Sequence, residues 1–340
     1  MCWADSIATA RVLLLVNYRP EYSHSWNSRT YYTQLRLDPL GRESAQEMLS
    51  AMLGDNGELA ALNRVIIERT EGNPFFMEET VQVLLDEGAL VRNGVTRLMQ
   101  PISELKIPPT VQGILAARID RLPREPKDLL QILSVVGREF SMSLIRAVNP
   151  KPEEELHRTL NELQLGEFIY ELPAVGDPEY IFKHALTQEV SYNSVLQERR
   201  KQLHERIGAA LENLYANSID DHLDELAHHY GKSGNLQKAL EYHELAGLRA
   251  VQRCANQDAM QHLTSALDLL RRQALSRVRD QRELALQTAL GQVLMMIKGW
   301  SAPEPERVFQ RAQELAHAYG TAEQQFSTLV GLFGIAFAGG

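Results

Sequence analysis

Residues 223–250 read LDELAHHYGKSGNLQKALEYHELAGLRA, and this stretch decides how the second half of the chain folds. Apolar and small residues recur three and four positions apart on both sides of the dipeptide Gly234-Asn235. The positions concerned are Leu226, Ala227, Tyr230, Ala239, His243 and Ala246. Such spacing predicts two amphipathic helices joined by a turn at Gly234-Asn235.

The placement of proline extends this helical interpretation well beyond the quoted stretch. Twelve of the 14 prolines lie at or before Pro178, so residues 179–302 contain none. A proline inside a helix costs about 3 kcal/mol, and its absence over such a length favours stacked helices. The quoted pair resembles a tetratricopeptide repeat, and Ala259, Leu263 and Ala266 repeat its second helix. Residues 326–337 are predicted to form the first helix of a further repeat.

Composition narrows the class of protein. A chain of 340 residues with 44% hydrophobic residues is globular and long enough for roughly two to three domains. Its net charge of −9 disfavours binding to nucleic acid and to anionic membranes. The two cysteines cannot build a disulfide framework, and the apolar C-terminal run is shorter than the about 20 residues of a membrane span. We therefore expect a cytoplasmic protein with no membrane partner.

The first half of the chain is predicted to mix strands with helices. Residues 11–17 form a β-branched and leucine run, which is typical of a strand buried on both faces of a parallel sheet. Helical spacing follows it in several segments up to residue 163. Residues 168–172 and 180–182 then predict two strands joined by a turn containing Gly176 and Pro178. Three helices followed by a hairpin is the order of a winged helix.

Motifs of self-contained catalysis are weak in this sequence. Gly231-Lys232-Ser233 lacks the upstream glycine of a phosphate-binding loop, and its context predicts a plain helical turn. The adjacent His228 and His229 cannot both face one site from a helix, so we predict no metal centre there. Residues 111–183 hold nine Lys and Arg against twelve Asp and Glu, which argues against DNA binding.

Four short segments in a fixed order carry a resemblance to a known family. The segments are LLLVNYRPEY at 13–22, EGNPFFMEE at 71–79, IPPTVQ at 107–112 with AARIDRL at 116–122, and FKHALTQEV at 182–190. On these segments the chain is similar to the signal-transduction ATPases with numerous domains (STAND NTPases). Within them it resembles most the bacterial group in which a class III adenylate/guanylate cyclase domain precedes an AAA-type ATPase module and tetratricopeptide repeats.

The resemblance implies nucleotide-proximal roles for four residues. Arg19 resembles the sensor-1 position, where a guanidinium can form forked hydrogen bonds to the terminal phosphate. Asn73 and Pro74 resemble the lid motif whose proline packs near the adenine. His184 resembles the winged-helix histidine that contacts the diphosphate. For Pro74 a helix-starting turn, and for His184 a core or capping role, are the structural alternatives. The intact family uses ATP or ADP, with Mg expected alongside.

The sequence departs from the family where the chemistry would be. It contains neither the P-loop (Walker A), nor the acidic metal-binding strand (Walker B), nor the cyclase domain. We therefore expect neither ATP hydrolysis nor cyclic-nucleotide synthesis from this chain alone, and no assured cofactor. Nucleotide binding is expected only with a complete NTPase core.

These observations together predict a mainly α architecture in four parts. The parts are a remnant β-strand of the NTPase core at 1–34, a helical lid at 35–105, a winged helix at 106–183 and a tetratricopeptide-like α-solenoid at 184–340. The expected function is the regulatory and sensing portion of an ATP-dependent signalling switch, with a protein partner on the repeat surface. The alternatives are a nucleotide-independent tetratricopeptide scaffold and, with less support, a winged-helix transcription regulator.

Overall fold

The mainly α architecture is confirmed by the structure. The computed structural model describes residues 11–18, 22, 32–54, 57–105, 107–173 and 176–339. The chain divides into two compact units, Met1–Val111 and Gln112–Gly340. Across the described residues, no helix is both long enough and apolar enough to cross a membrane.

Within its described residues, the first unit contains three α-helices and a β-hairpin. Apolar side chains at helical spacing are buried along α1, as at Ala45, Leu49 and Leu53, which explains why this segment is amphipathic. A turn at Gly94 joins the two antiparallel strands. The elements are α1 (Arg42–Leu53), α2 (Ala60–Thr70), α3 (Pro74–Asp86), β1 (Leu90–Asn93) and β2 (Val95–Leu98).

The predicted strand at residues 11–17 is wrong. These residues adopt no strand, and their apolar side chains are exposed, Leu13 and Leu15 each by 89%. A strand buried on both faces needs neighbouring strands to pair with it. Within the part of the chain that the structure describes, every strand pairs with another segment. The β-branched run therefore has the composition of a buried strand without its environment.

The second unit begins with four helices and a three-stranded sheet. The strand order β3-β5-β4 is antiparallel throughout, and Phe140, Tyr180 and Phe182 from the sheet pack into one apolar core with the helices. The elements are α4 (Val111–Arg121), α5 (Arg124–Val136), β3 (Glu139–Ser141), α6 (Met142–Val148), α7 (Glu153–Leu165), β4 (Ile169–Leu172) and β5 (Glu179–Phe182).

The predicted hairpin is confirmed as β4 and β5, but four short elements were not predicted from the sequence. Strand β3 has three residues and helix α6 has seven, so neither is long enough to show a period. Ser141 marks the start of α6, since its hydroxyl accepts a hydrogen bond from the Leu144 amide at 3.3 Å. The β1–β2 hairpin around Gly94 was also missed.

The rest of the second unit is a succession of helices, as predicted. Short connections favour antiparallel packing between consecutive helices, and each helix from α9 onward packs on the next. On α15 the side chains of Phe326, Phe333 and Phe337 are exposed. The helices are α8 (Ala185–Ser194), α9 (Gln197–Leu214), α10 (Leu223–Lys232), α11 (Leu236–Gln252), α12 (Asn256–Leu270), α13 (Arg277–Lys298), α14 (Pro303–Tyr319) and α15 (Ala322–Gly339).

One apolar core joins the sheet-containing part to the first repeat helices. Ile132 and Val135 of α5 and Val148 of α6 pack with buried residues of α9, α10 and α11, among them Ile207 and Leu226. The core thus continues across residue 184, where the sequence analysis placed a domain boundary. The helices after residue 184 are anchored on α5 and α6.

A close approach between helices centres on Phe309 of α14, whose side chain is only 1% exposed. A Cβ added at Gly291 of α13 would lie 2.6 Å from Phe309 Cε2, and one at Gly331 of α15 would lie 2.6 Å from Cε1. Only glycine leaves room for the ring at these two positions. Phe309 therefore fixes how closely α13 and α15 approach α14.

We predict that Gly291→Ala destabilises the protein. Helix propensity alone would favour alanine over glycine by about 1 kcal/mol. Overpacking against Phe309 costs about 1–3 kcal/mol and outweighs that gain, so the midpoint of thermal or urea unfolding should fall. In a Phe309→Leu background the same substitution should cost less, because the smaller side chain relieves the contact. An equal loss in both backgrounds would contradict this origin.

Candidate functional site

Asn73 and Pro74 form the turn that starts α3. The Asn73 side chain caps the helix, since its Oδ1 accepts a hydrogen bond from the Phe76 amide at 3.1 Å. Pro74 occupies the first helical position, where its fixed φ suits the helix and its missing N–H costs nothing. Both side chains are exposed. The helix-starting role is thus fulfilled, and the Pro74 ring remains accessible at a helix N-terminus.

Gly72 holds this turn against the segment before α1. Its φ of 73° lies in the left-handed region, and its carbonyl accepts a hydrogen bond from the Leu40 amide at 2.8 Å. A Cβ at this position would lie 2.3 Å from the Leu40 carbonyl oxygen. Glycine is therefore required here by both backbone conformation and space.

His184 lies at the start of α8, in the second unit. Its carbonyl accepts hydrogen bonds from the amides of Thr187 at 3.0 Å and Gln188 at 3.4 Å, and its side chain is half-buried. Asn73 and Pro74 belong to the first unit, so the structure describes the two positions separately. Arg19 lies outside the described residues.

A chain of hydrogen bonds through two buried histidines is the main polar feature that sequence reasoning missed. Tyr192 Oη lies 3.2 Å from His204 Nε2, and His204 Nδ1 lies 3.0 Å from His229 Nδ1. His229 also hydrogen-bonds to the backbone of Val136, the last residue of α5. The chain therefore links α8, α9, α10 and α5.

The proton positions in this chain follow from its end at Val136. A carbonyl only accepts, so His229 carries its proton on the nitrogen that faces Val136 and presents Nδ1 as an acceptor. His204 must then donate from Nδ1 and accept at Nε2 from the Tyr192 hydroxyl. All the bonds are satisfied with both imidazoles neutral, and they supply a partner for a helix-terminal carbonyl.

The electrostatics of the cluster favour the same neutral state. Burial, followed by the nearby charges of Lys232, His228 and Arg200, lowers the pKa of His204 to about 4. Burial and the neighbouring histidines with Lys232 lower the pKa of His229 to about 3. The sequence does carry a signal for His204, because it follows Leu203 directly and precedes Ile207 by three positions, and all three side chains are buried on α9.

The interpretation of the adjacent histidines needs a correction. His228 and His229 were expected to face different surroundings, yet both rings lie beside His204, with centroids at 5.9 Å and 5.1 Å. His229 is buried and His228 is exposed. Among the residues that the structure describes, no group of His, Cys, Asp or Glu is arranged to hold a metal ion.

A second polar network is centred on Glu212 of α9. Its carboxylate accepts hydrogen bonds from Tyr230 at 2.9 Å, from Lys238 at 2.7 Å and from Tyr242. Burial alone would raise the pKa of Glu212, but these three donors outweigh it and lower the pKa. The stacked rings of Tyr230 and Tyr242 lie 5.3 Å apart. This network fixes α9, α10 and α11 to one another and has the character of a structural contact.

Gly231-Lys232-Ser233 is a connection between two helices, as the sequence predicts. α10 ends at Lys232, and the Ser233 amide donates to the His229 carbonyl at 3.0 Å. Asn235 then caps α11 by accepting a hydrogen bond from the Lys238 amide at 3.1 Å. The lysine here belongs to a helix-ending turn and to no phosphate-binding loop.

Comparison with known proteins gives one curated relative and a distant structural likeness. The chain is 28% identical over 325 residues to an uncharacterized protein of Rhizobium meliloti (strain 1021), a match that covers 94% of this chain and 31% of that protein. The chain thus spans about a third of the length of the curated relative that it matches. No protein-family model matches the sequence.

Among solved structures, the chain is similar to a Signal Transduction ATPase with Numerous Domains (STAND) protein with a tetratricopeptide repeat sensor from Pyrococcus horikoshii. The sequence identity is 11% and the TM-score is 0.35. The likeness covers 88% of this chain and 57% of that chain. At this distance it assigns no role to any residue.

We predict that Asn73→Ala destabilises the first unit by about 1 kcal/mol, because the α3 amides lose their side-chain acceptor. Asn73→Asp keeps an acceptor at the cap and should preserve stability. Urea denaturation followed by circular dichroism measures both. Equal stability of the alanine and wild-type proteins would show that the cap contributes nothing.

We predict that acid destabilises the second unit through His204. The pKa of His204 in the folded state, about 4, lies below its value in the unfolded chain, so the unfolded chain binds more protons as the pH falls below about 6.5. The free energy of unfolding should therefore drop by about 2 kcal/mol between pH 7 and pH 5 from this residue. His204→Gln should reduce that pH-dependent drop, whereas the exposed His157→Gln should leave it unchanged.

Proposed function

We propose that this chain is the regulatory and sensing portion of an ATP-dependent signal-transduction NTPase of the STAND type. In this proposal its helical repeats bind a protein partner. The observation that carries the proposal is the order of elements: a small helical unit, a helix-and-sheet module, and a run of packed helices that shares a core with that module. Repeat helices of this kind offer extended surfaces for partners.

We propose that the helix-and-sheet module is a winged helix, and the order of its elements supports this. Its order is α5, β3, α6, α7, β4, β5, with β5 between β3 and β4 in the sheet. Helix α7 carries Glu153, Glu154 and Glu155 in its first turn. Such a helix would meet repulsion from a phosphate backbone, so it is better suited to contact protein than DNA.

The proposed nucleotide contacts are Asn73 and Pro74 near the adenine, His184 near the diphosphate and Arg19 near the terminal phosphate. Support comes from their local settings: Pro74 lies exposed at the N-terminus of α3, and His184 lies at the N-terminus of α8. Helix N-termini favour anionic groups. ATP or ADP, with Mg, would be held only together with a complete NTPase core, and an association with a cyclase belongs to the same proposal.

A nucleotide-independent scaffold is the competing function, and the Asn73 cap favours it. The hydrogen bond from the Phe76 amide to Asn73 explains the motif by helix formation alone. In that case the repeats would bind their partner without nucleotide control. The two functions differ in what ADP does to the protein.

Thermal unfolding of this chain together with a complete NTPase core, with and without ADP and Mg, distinguishes them. The switch predicts that ADP raises the melting temperature, because a ligand that binds only the folded state stabilises it. The rise should shrink in Arg19→Ala and His184→Ala and persist in the control His157→Ala. Identical melting temperatures with and without ADP would favour the scaffold.

A further inference from the structure

Three basic side chains gather around Tyr192 and His204. Arg200 of α9 lies over the Tyr192 ring with its Cζ 4.8 Å from the ring centroid, and Lys232 of α10 lies over the same ring with its Nζ at 5.5 Å. The His228 ring lies 5.9 Å from the His204 ring. We call Arg200, His228 and Lys232 together the basic cluster. The basic cluster and the two rings beside it, Tyr192 and His204, lie on three helices, α8, α9 and α10.

The cluster lacks neutralisation in a protein that is otherwise acidic. Burial lowers the pKa of His204 most, and Lys232, His228 and Arg200 each lower it further. Within the described residues neither Arg200 nor Lys232 forms an ion pair, although many other surface cations do, such as Lys201 with Glu198. Burial and then Lys232 lower the pKa of His228, so the positive charge of the cluster at neutral pH is carried by Arg200 and Lys232. Two unpaired cations in a chain of net charge −9 form a local positive centre.

The basic cluster is accessible to solvent, and the aromatic ring on which its cations lie is fixed by buried hydrogen bonds. His228 and Lys232 are exposed and Arg200 is half-buried. Tyr192 is fixed by its hydrogen bond to His204, which is itself fixed by His229. The aromatic ring that carries both cations is therefore ordered before any ligand arrives, which lowers the entropic cost of binding.

We propose that the basic cluster binds carboxylate side chains of an acidic segment of a protein partner. The inference rests on the proposed function, because it places the partner of the repeats. The cations arise from separate helices, so they suit carboxylates spaced along a peptide. Arginine can accept a carboxylate through paired hydrogen bonds, and lysine through a point charge. Nucleic acid, the other polyanion, is distinguished from an acidic peptide by competition in the test below.

The test measures binding of a dye-labelled hexaglutamate peptide to the full chain by fluorescence anisotropy at low ionic strength. Wild-type protein should bind hexaglutamate in preference to hexaglutamine, and added salt should weaken the binding. Arg200→Gln and Lys232→Gln should each weaken it about fivefold. The double variant should lose more than either single variant.

Two further variants keep the test specific. Arg200→Lys retains the charge and should bind more tightly than Arg200→Gln. Arg272→Gln removes an exposed arginine beyond α12 and should bind as the wild type does. Circular dichroism melting of every variant checks that the repeat helices remain folded.

Several outcomes would overturn the proposal. Equal affinity for hexaglutamate and hexaglutamine would do so, as would a double variant that binds like the wild type. Inorganic phosphate or a single-stranded DNA oligonucleotide could also displace the labelled peptide. If either displaced it more effectively than unlabelled hexaglutamate does, the cluster would be assigned to a phosphate-bearing ligand instead. The assay contains no nucleotide, so a missing response to ADP would leave the site standing. Loss of hexaglutamate binding with an intact ADP response would refute only the site.

Discussion

The apolar core shared by α5, α6, α9, α10 and α11 is the constraint on which the second unit depends. A helix pair cannot bury its own apolar face, so the first pair in a stack needs a surface to pack against. Here Ile132, Val135 and Val148 supply part of that surface. Each later helix then packs on the one before it, and the position of the whole stack follows from this first contact.

Within the stack, large side chains facing glycine set the spacing. Phe309 lies against Gly291 on one side and Gly331 on the other, and Tyr230 approaches Gly208 in the same manner. Glycine weakens the helix that carries it, so these positions exchange local helix stability for close packing between helices. The half-buried Glu212 network and the buried His204 network orient the packed helices, since their hydrogen bonds are satisfied in only one arrangement.

The sequence predicts the elements that depend on short-range residue patterns. It does not predict the features that depend on contacts between residues distant in the chain. The helices around Gly234-Asn235 and the hairpin at 169–182 follow from spacing and turn residues, and the structure has them. The strand at 11–17 was wrong because a β-branched run does not reveal whether neighbours exist to pair with it. The Asn73 cap is local and could be read from the sequence. The contact of His204 with His229 spans 25 residues and needs the packed helices.

The shared core also determines where this chain could be cut and rejoined. A junction at residue 184 separates the sheet from the repeats in the linear sequence, but it divides the apolar interior between two fragments. Each fragment would expose to water the apolar side chains that are buried in the intact chain. A segment that keeps this apolar core whole therefore has to include the sheet together with the helices through α11.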